Sequence, residues 1–408
     1  MDSWPGICST GITCLSILLI VSKRIEKEGK GIAIQMNLLP ARQPDYILIA
    51  VIFILISFGI IMVFSSSYIM AFKWYGDSYY FFSKQVFSAL MATVIFLITM
   101  KIDYQYWRKF AIPILIISIF LLLILYIPGV TRYIRGARRW IYIGPLPFQP
   151  SELAKVALIL YIADCLTRKT AQDIGTFIRG ILPVFLVTAF IFLLVFAQPD
   201  FSTGIVILGC CFIMLFIGGS QITQLFALII LLIPPGIVLL LGEEYRRVRL
   251  LSFLNPWEDP LKSGFHIIQS LLALGSGGLS GVGIAQSRQK FFYLPDQHTD
   301  FIFSIIGEEL GFIGTAIVIL LFLIFLWRGF LIAWKAKDTF GSLLAAGITS
   351  LIVFQAVVNI SVVTKIIPTT GITLPFISYG GSSLIVNMFC CGILLNISKS
   401  VIVKDEAI

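Results

Sequence analysis

Four polar clusters interrupt an otherwise apolar chain, and each carries side chains able to bind anions or move protons. The first is Arg135-Gly136-Ala137-Arg138-Arg139-Trp140, followed by Gln149-Pro150-Ser151-Glu152-Leu153-Ala154-Lys155. Guanidinium forks hold phosphates through paired hydrogen bonds, so these arginines point to an anion. Pro150 lacks an N–H and suits the first turn of a helix, which Ser151 or Gln149 would cap. Glu152 and Lys155 lie three residues apart and can pair on one helix face. The second cluster, Gln198-Pro199-Asp200-Phe201-Ser202-Thr203-Gly204, offers Asp200 either to a site or as the cap of the next helix.

The third cluster is a long polar stretch. It holds Asn255-Pro256-Trp257-Glu258-Asp259-Pro260, then Gly264-Phe265-His266-Ile267-Ile268-Gln269-Ser270, then a glycine run from Gly275 to Gly283. No Gly-Lys-Ser/Thr closes that run, so it is not a P-loop. Leu294-Pro295-Asp296-Gln297-His298-Thr299-Asp300-Phe301 follows, with Glu308 and Glu309 roughly two helical turns beyond. A carboxylate such as Asp300 at a half-buried helix start is suited to act as a base, with a helix cap as the plainer alternative. The fourth cluster runs from Pro368 to Ser383 and includes Ser378 and Tyr379 between prolines and glycines. Irregular backbone at membrane depth is tolerated only under protein or water cover, so this segment is expected to line a cavity.

The elements that must position these groups are membrane helices. Of 408 residues, 58% are hydrophobic and 12% charged, against roughly 25% charged in an average soluble protein. The apolar runs predict an all-α polytopic membrane protein of about ten transmembrane helices at 46–66, 82–100, 110–127, 152–167, 177–197, 202–219, 222–242, 302–326, 341–364 and 377–397. The fourth run carries Glu152, Lys155 and Asp164, so it should not face lipid all round. The net charge of +9 sits largely in short loops and reads as a topology signal rather than a nucleic-acid surface. Lys101, Arg108 and Lys109, then Arg168 and Lys169, then Arg328, Lys335 and Lys337, then Lys399 and Lys404 fall on one side. That side is expected to be cytoplasmic, which makes 243–301, between the seventh and eighth helices, a large extracytoplasmic loop. Arg132, Arg135, Arg138 and Arg139 fall outside and break the rule, which reads as an outer anion site, with a reversed parity or arginines snorkelling to headgroups as the plainer alternatives. The seven cysteines show no metal spacing and read as small apolar filler. Residues 1–35 are expected to be a dispensable N-terminal extension or a mis-annotated start, with an extra helix as the alternative. Residues 36–400 would form the single membrane domain and 401–408 a short cytoplasmic tail.

Taken together, these motifs resemble the SEDS family (shape, elongation, division and sporulation), the FtsW, RodA and SpoVE proteins. The resemblance runs from about residue 44 to 398 and rests on Arg138-Arg139-Trp140 with Gln149-Pro150-Ser151-Glu152, on Pro295–Phe303 with Glu308-Glu309-Leu310-Gly311, and on Leu374–Ser383. The Asn-Pro-Trp-Glu-Asp-Pro segment is more similar to the division and sporulation branch. Some relatives carry a lysine where Thr370 stands here, so no role for that lysine transfers.

The resemblance implies a peptidoglycan glycosyltransferase of the bacterial cytoplasmic membrane that polymerises lipid II, an undecaprenyl-pyrophosphate-linked disaccharide-pentapeptide. Its proposed catalytic aspartate matches Asp300, which would act as general base. The expected substrate-binding set is Arg138, Arg139, Trp140, Gln149, Glu152, Lys155, Asp200, Gln269, His298, Thr299, Ser378 and Tyr379. Arg139 especially, with Lys155, is expected to neutralise the diphosphate, and Glu308 and Glu309 to organise the loop or tune Asp300. A divalent cation, Mg²⁺ or Mn²⁺, could share the charge, although no dedicated cage is visible, and no organic cofactor is expected. The implied partners are a class B penicillin-binding protein and other division or elongation membrane proteins. A lipid II flippase and a non-enzymatic scaffold for the transpeptidase are the alternatives.

Overall fold

The computed structural model describes residues 43–127, 139–143, 146–291 and 294–400. Arg132, Arg135, Arg138, the 1–35 extension and the 401–408 tail lie outside the described residues. The rest bears out the all-α reading. In chain order the helices are α1 (Tyr46–Tyr75), α2 (Tyr80–Lys101), α3 (Tyr104–Ile124), α4 (Pro150–Thr167), α5 (Leu182–Phe196), α6 (Phe201–Ile217), α7 (Ile222–Leu241), α8 (Glu244–Leu254), α9 (Phe265–Ser276), α10 (Ile302–Lys335), α11 (Thr339–Val363) and α12 (Gly381–Lys399). A single turn at Ala171–Ile174 and a π-helical turn at Phe177–Ile181 lead into α5. Two short antiparallel strands, β1 (Ile141–Ile143) and β2 (Leu146–Phe148), precede α4, an addition to the all-helical expectation.

Eight described helices, counting the π turn with α5, are long and apolar enough to cross a membrane. The other two expected spans are α6, which has 17 uncharged residues, and the charged α4. α4 is buried along almost its whole length, packed among α3, α6, α11 and α12, so its charges meet helices rather than lipid. α11 is the central post and touches α4, α6, α10 and α12, whereas α7 is the peripheral helix. Small residues permit the close approach: a Cβ at Gly347 would come within 2.8 Å of Ile159 and Met214.

Several boundaries move. α1 has 30 residues, about 45 Å at 1.5 Å per residue, because Asp45 caps its start and left-handed Gly76 ends it only after Tyr75. α12 starts at Gly381 rather than 377, after a stretch of non-helical backbone. The 243–301 region is not a plain loop, since it contains α8 and α9. One end of the bundle gathers the expected cytoplasmic segments. Arg328 pairs with Asp45, the Asp45 N–H donates to Ser398, the Tyr104 N–H donates to Asn396, and Asp164 binds Arg108 and Arg168. Asp300 lies at the opposite end of α10 from Arg328.

α10 is broken near its start, where Gly311 has φ 67° and ψ −161°. A broken helix frees backbone groups that must find partners. The glycine run provides them: Val282 and Gly283 N–H groups donate to the carbonyls of Glu308 and Glu309, and the N–H groups of Phe312 and Ile313 donate to Gly278 and Leu279. Only glycines permit this approach, since a Cβ at Gly277 would lie 1.9 Å from the Gly307 carbonyl oxygen.

Candidate active site

The irregular segment between α11 and α12 builds the site by holding the chain before α10. The Tyr379 N–H donates to the His298 carbonyl at 2.9 Å, the Ser378 hydroxyl to the Thr299 carbonyl at 2.6 Å, and the Asn359 amide of α11 to the Asp300 carbonyl at 2.8 Å. Asn359 also donates to the Ile372 carbonyl at 2.7 Å, which ties the segment to the same point. Three successive carbonyls are therefore held, which sets the backbone from which the Asp300 carboxylate projects. Gly371, with φ +81°, lies alongside, where a Cβ would stand 3.5 Å from Asp300 Oδ2.

Asp300 opens into a cavity of about 1390 Å³. Every described member of the expected binding set lines it except Gln269 and Ser378: Arg139, Trp140, Gln149, Glu152, Lys155, Asp200, His298, Thr299 and Tyr379. Ser378 is buried and acts through its hydroxyl, which also accepts the Leu374 N–H. Gln269 lines neither this cavity nor the smaller one beside it. The cavity has an apolar wall of Phe87, Ile205, Val206, Phe354, Val357 and Ile385. Val357 is 53% exposed although it belongs to the central helix.

Several of these side chains are already engaged. Arg139 donates Nε to the Gln198 carbonyl at 3.1 Å and Nη2 to the Pro199 carbonyl, and lies 3.9 Å from Asp200. It therefore stitches the turn between α5 and α6. Asp200 caps α6 through Thr203 and also accepts from Gln149 at 3.3 Å, so it fills the plainer role and lines the site as well. Lys155 pairs with Glu152 at 2.8 Å, both buried, and Glu152 Oε2 has no hydrogen-bond partner among the described residues. Pro150 occupies the first turn of α4 as expected, but the Gln149 side chain makes no capping bond and donates to Ser151 instead. His298 packs against the Phe81 and Tyr379 rings at 4.5 and 5.6 Å. Burial pushes the Tyr379 phenol up to about 12, with Tyr80 and Tyr75 adding to it, so it stays a protonated donor near neutral pH.

Glu308 and Glu309 line neither cavity. Glu308 accepts from Ser287 and from the Arg288 N–H at 2.8 Å; Glu309 accepts from Ser65 of α1 at 2.7 Å and pairs with Lys290 at 3.3 Å. Their carboxylates bind the 287–290 segment and, through Ser65, α1. Sequence reasoning missed Asn359, Lys290 and the α8 arginines Arg246 and Arg249. A lone Asn inside an apolar run was a usable signal for the first. For the others nothing marked which loop charges would fold inward.

A helical membrane bundle that encloses a cavity lined by apolar side chains, by cations and by the carboxylates of Glu152, Asp200, Asp296 and Asp300 defines a class: a polytopic membrane protein with a mixed apolar and polar pocket. A family model described as "Cell cycle protein", covering FtsW, RodA and SpoVE, matches residues 45–402, and the chain belongs to that family. It is 45% identical over 356 residues to Stage V sporulation protein E of Bacillus subtilis, covering 87% of this chain and 97% of that protein. It is 42% identical over 364 residues to a probable peptidoglycan glycosyltransferase FtsW of Geobacter metallireducens, covering 89% and 97%. Among solved structures it resembles a chain of a peptidoglycan synthase complex that coordinates polymerisation and crosslinking, with TM-score 0.70 and 27% identity over 87% of this chain and 97% of that one. The rod shape determining protein RodA of Thermus thermophilus aligns with TM-score 0.64 at 27% identity, covering 88% and 98%.

Proposed function

We propose that this chain is a peptidoglycan glycosyltransferase that polymerises lipid II at the extracytoplasmic face of the bacterial membrane. The observation that carries the reading is Asp300, held through three neighbouring carbonyls on the wall of a cavity lined by both apolar and polar side chains. The apolar side chains suit a prenyl chain, and the polar ones suit its diphospho-sugar head.

In this reading Asp300 takes the proton of the acceptor sugar's 4-hydroxyl. The oxygen attacks the anomeric carbon of the donor, and undecaprenyl pyrophosphate leaves. A positioned base of this kind contributes roughly 10²–10⁴-fold to a rate. In this reading the Tyr379 phenol, which lines the cavity, donates a hydrogen bond to a sugar hydroxyl. Among the described residues no three His, Cys, Asp or Glu side chains cluster as a metal site. A divalent cation would therefore take most of its ligands from the substrate's diphosphate. The basic segments gathered at the end opposite Asp300 support the extracytoplasmic placement of the site. The likeness to a synthase complex supports a class B penicillin-binding protein as partner, and relatives from both sporulation and division support service in one of those processes.

The test is purified protein reconstituted with lipid II. Glycan chains that vanish with Asp300→Ala support the polymerase. Translocation of lipid II without polymer would establish a flippase, and normal growth with Asp300→Asn would leave only a scaffold.

A further inference from the structure

Deepening that reading, we infer that Arg249 of α8 is a cation that receives the diphosphate leaving group, at the point where two cavities meet beside Asp300. Among the described residues five cationic side chains line the large cavity: Lys84, Arg139, Lys155, Arg246 and Arg249. Four are committed. Lys84 donates to the Tyr80 hydroxyl at 2.6 Å. Arg139 is bound to Gln198, Pro199 and Asp200. Lys155 is buried against Glu152. Arg246 donates to Tyr245 at 2.8 Å and to the Leu239 carbonyl, and its guanidinium lies over the Phe196 ring at 4.1 Å.

Arg249 differs. Among the described residues its guanidinium makes no hydrogen bond or ion pair, only a ring contact with Tyr245 at 5.8 Å. Its N–H donors remain available in the fork geometry that fits a diphosphate. Its place is also distinct. A second cavity of about 550 Å³ adjoins the first, and Arg249 alone of the five cations lines both. Asp300 and Gly371 are on the same shared wall. Base and cation thus come from different elements, the segment before α10 and α8, and face one junction.

The chemistry needs that pairing. The bond between the donor's anomeric carbon and its diphosphate oxygen breaks, with the electron pair going to the oxygen. The bond from the acceptor oxygen forms, and its proton passes to Asp300. The departing diphosphate gains negative charge as it leaves, and the Arg249 guanidinium stabilises that charge without giving up a proton. The Tyr245 ring sets the approach of the guanidinium, and the apolar wall of the large cavity receives the prenyl chain.

The test compares wild type, Arg249→Lys and Arg249→Ala in nanodiscs. Kd is measured for undecaprenyl pyrophosphate and undecaprenyl phosphate, with and without phosphatidylglycerol, beside the polymerisation rate on lipid II. Arg249→Ala is expected to weaken undecaprenyl pyrophosphate by about 10–100-fold, the monophosphate less, and Arg249→Lys to fall between. The polymerisation kcat should fall with the diphosphate affinity. Unchanged diphosphate affinity and rate in Arg249→Ala would overturn the assignment. So would equal losses for all anionic lipids, or displacement of the diphosphate by phosphatidylglycerol, either of which marks a headgroup surface instead. If wild type binds the diphosphate through Arg249 but forms no glycan, the subsite stands and the polymerase reading falls.

Discussion

Asp300 and Glu309 are carboxylates nine positions apart, yet the fold treats them in opposite ways. Asp300 is held through its backbone, and its residue lines two cavities. Glu309 is 0% exposed and held through its side chain by Ser65 and Lys290, itself 1% exposed. The difference separates a group set up to meet a substrate from a group given over to architecture. In the first, the hydrogen bonds from Asn359, Ser378 and Tyr379 run to the main chain, and the residue lines the cavity. In the second, they close on the acid itself, and the low dielectric makes each one costly to lose. The architectural network serves the cavity acid. Gln297 donates to the carbonyls of Ser66 and Lys290, so the segment leading to Asp300 is tied to α1 through the same buried knot.

The sharpest break between the two comes from removing each acid's function. Asp300→Asn should lower polymerisation by roughly 10²–10⁴-fold, and because the main-chain anchors are kept, its unfolding midpoint should fall far less than that of Lys290→Met. A matching loss of stability would move Asp300 into the architectural class.

Lys290→Met should do the reverse. Leaving Glu309 buried without its cation is expected to cost about 3–5 kcal/mol, read as a lower unfolding midpoint in detergent. The double variant Lys290→Met with Glu309→Leu should recover much of that loss. A single variant as stable as wild type would show that the pair is not what holds the loop.

Asn359→Ala removes two donated hydrogen bonds, to the carbonyls of Asp300 and Ile372, at roughly 1–3 kcal/mol. If its work is positioning, kcat should fall more than KM rises. A change in KM alone would place Asn359 among the binding groups.

Gly371→Ala should cost about 1–2 kcal/mol of stability, as expected for a left-handed residue. It should still slow the reaction, because the new methyl stands beside the Asp300 carboxylate. Loss of stability without loss of rate would mean that the space beside Asp300 is not used by substrate.

Much of this was legible in the order of residues alone. Apolar run length predicted the helices, because crossing the hydrocarbon demands about 20 residues whatever their neighbours. The polar interruptions marked the site, because an ionisable group near the membrane is costly unless it works or is paired. The glycine run and the Pro368–Ser383 segment announced irregular backbone under cover. What remained hidden was division of labour. Arg139, Arg246 and Arg249 are the same residue type, and only packing decides that the first two are bound to carbonyls and that the third faces the junction. Glu308 and Glu309 follow Asp300 closely in sequence, yet the break at Gly311 and the docking of the glycine run turn them away into a knot of their own. Hydropathy and residue type act locally and are read along the chain. Which donor meets which acceptor depends on contacts between segments hundreds of residues apart, such as Ser65 with Glu309, and only the assembled bundle settles those.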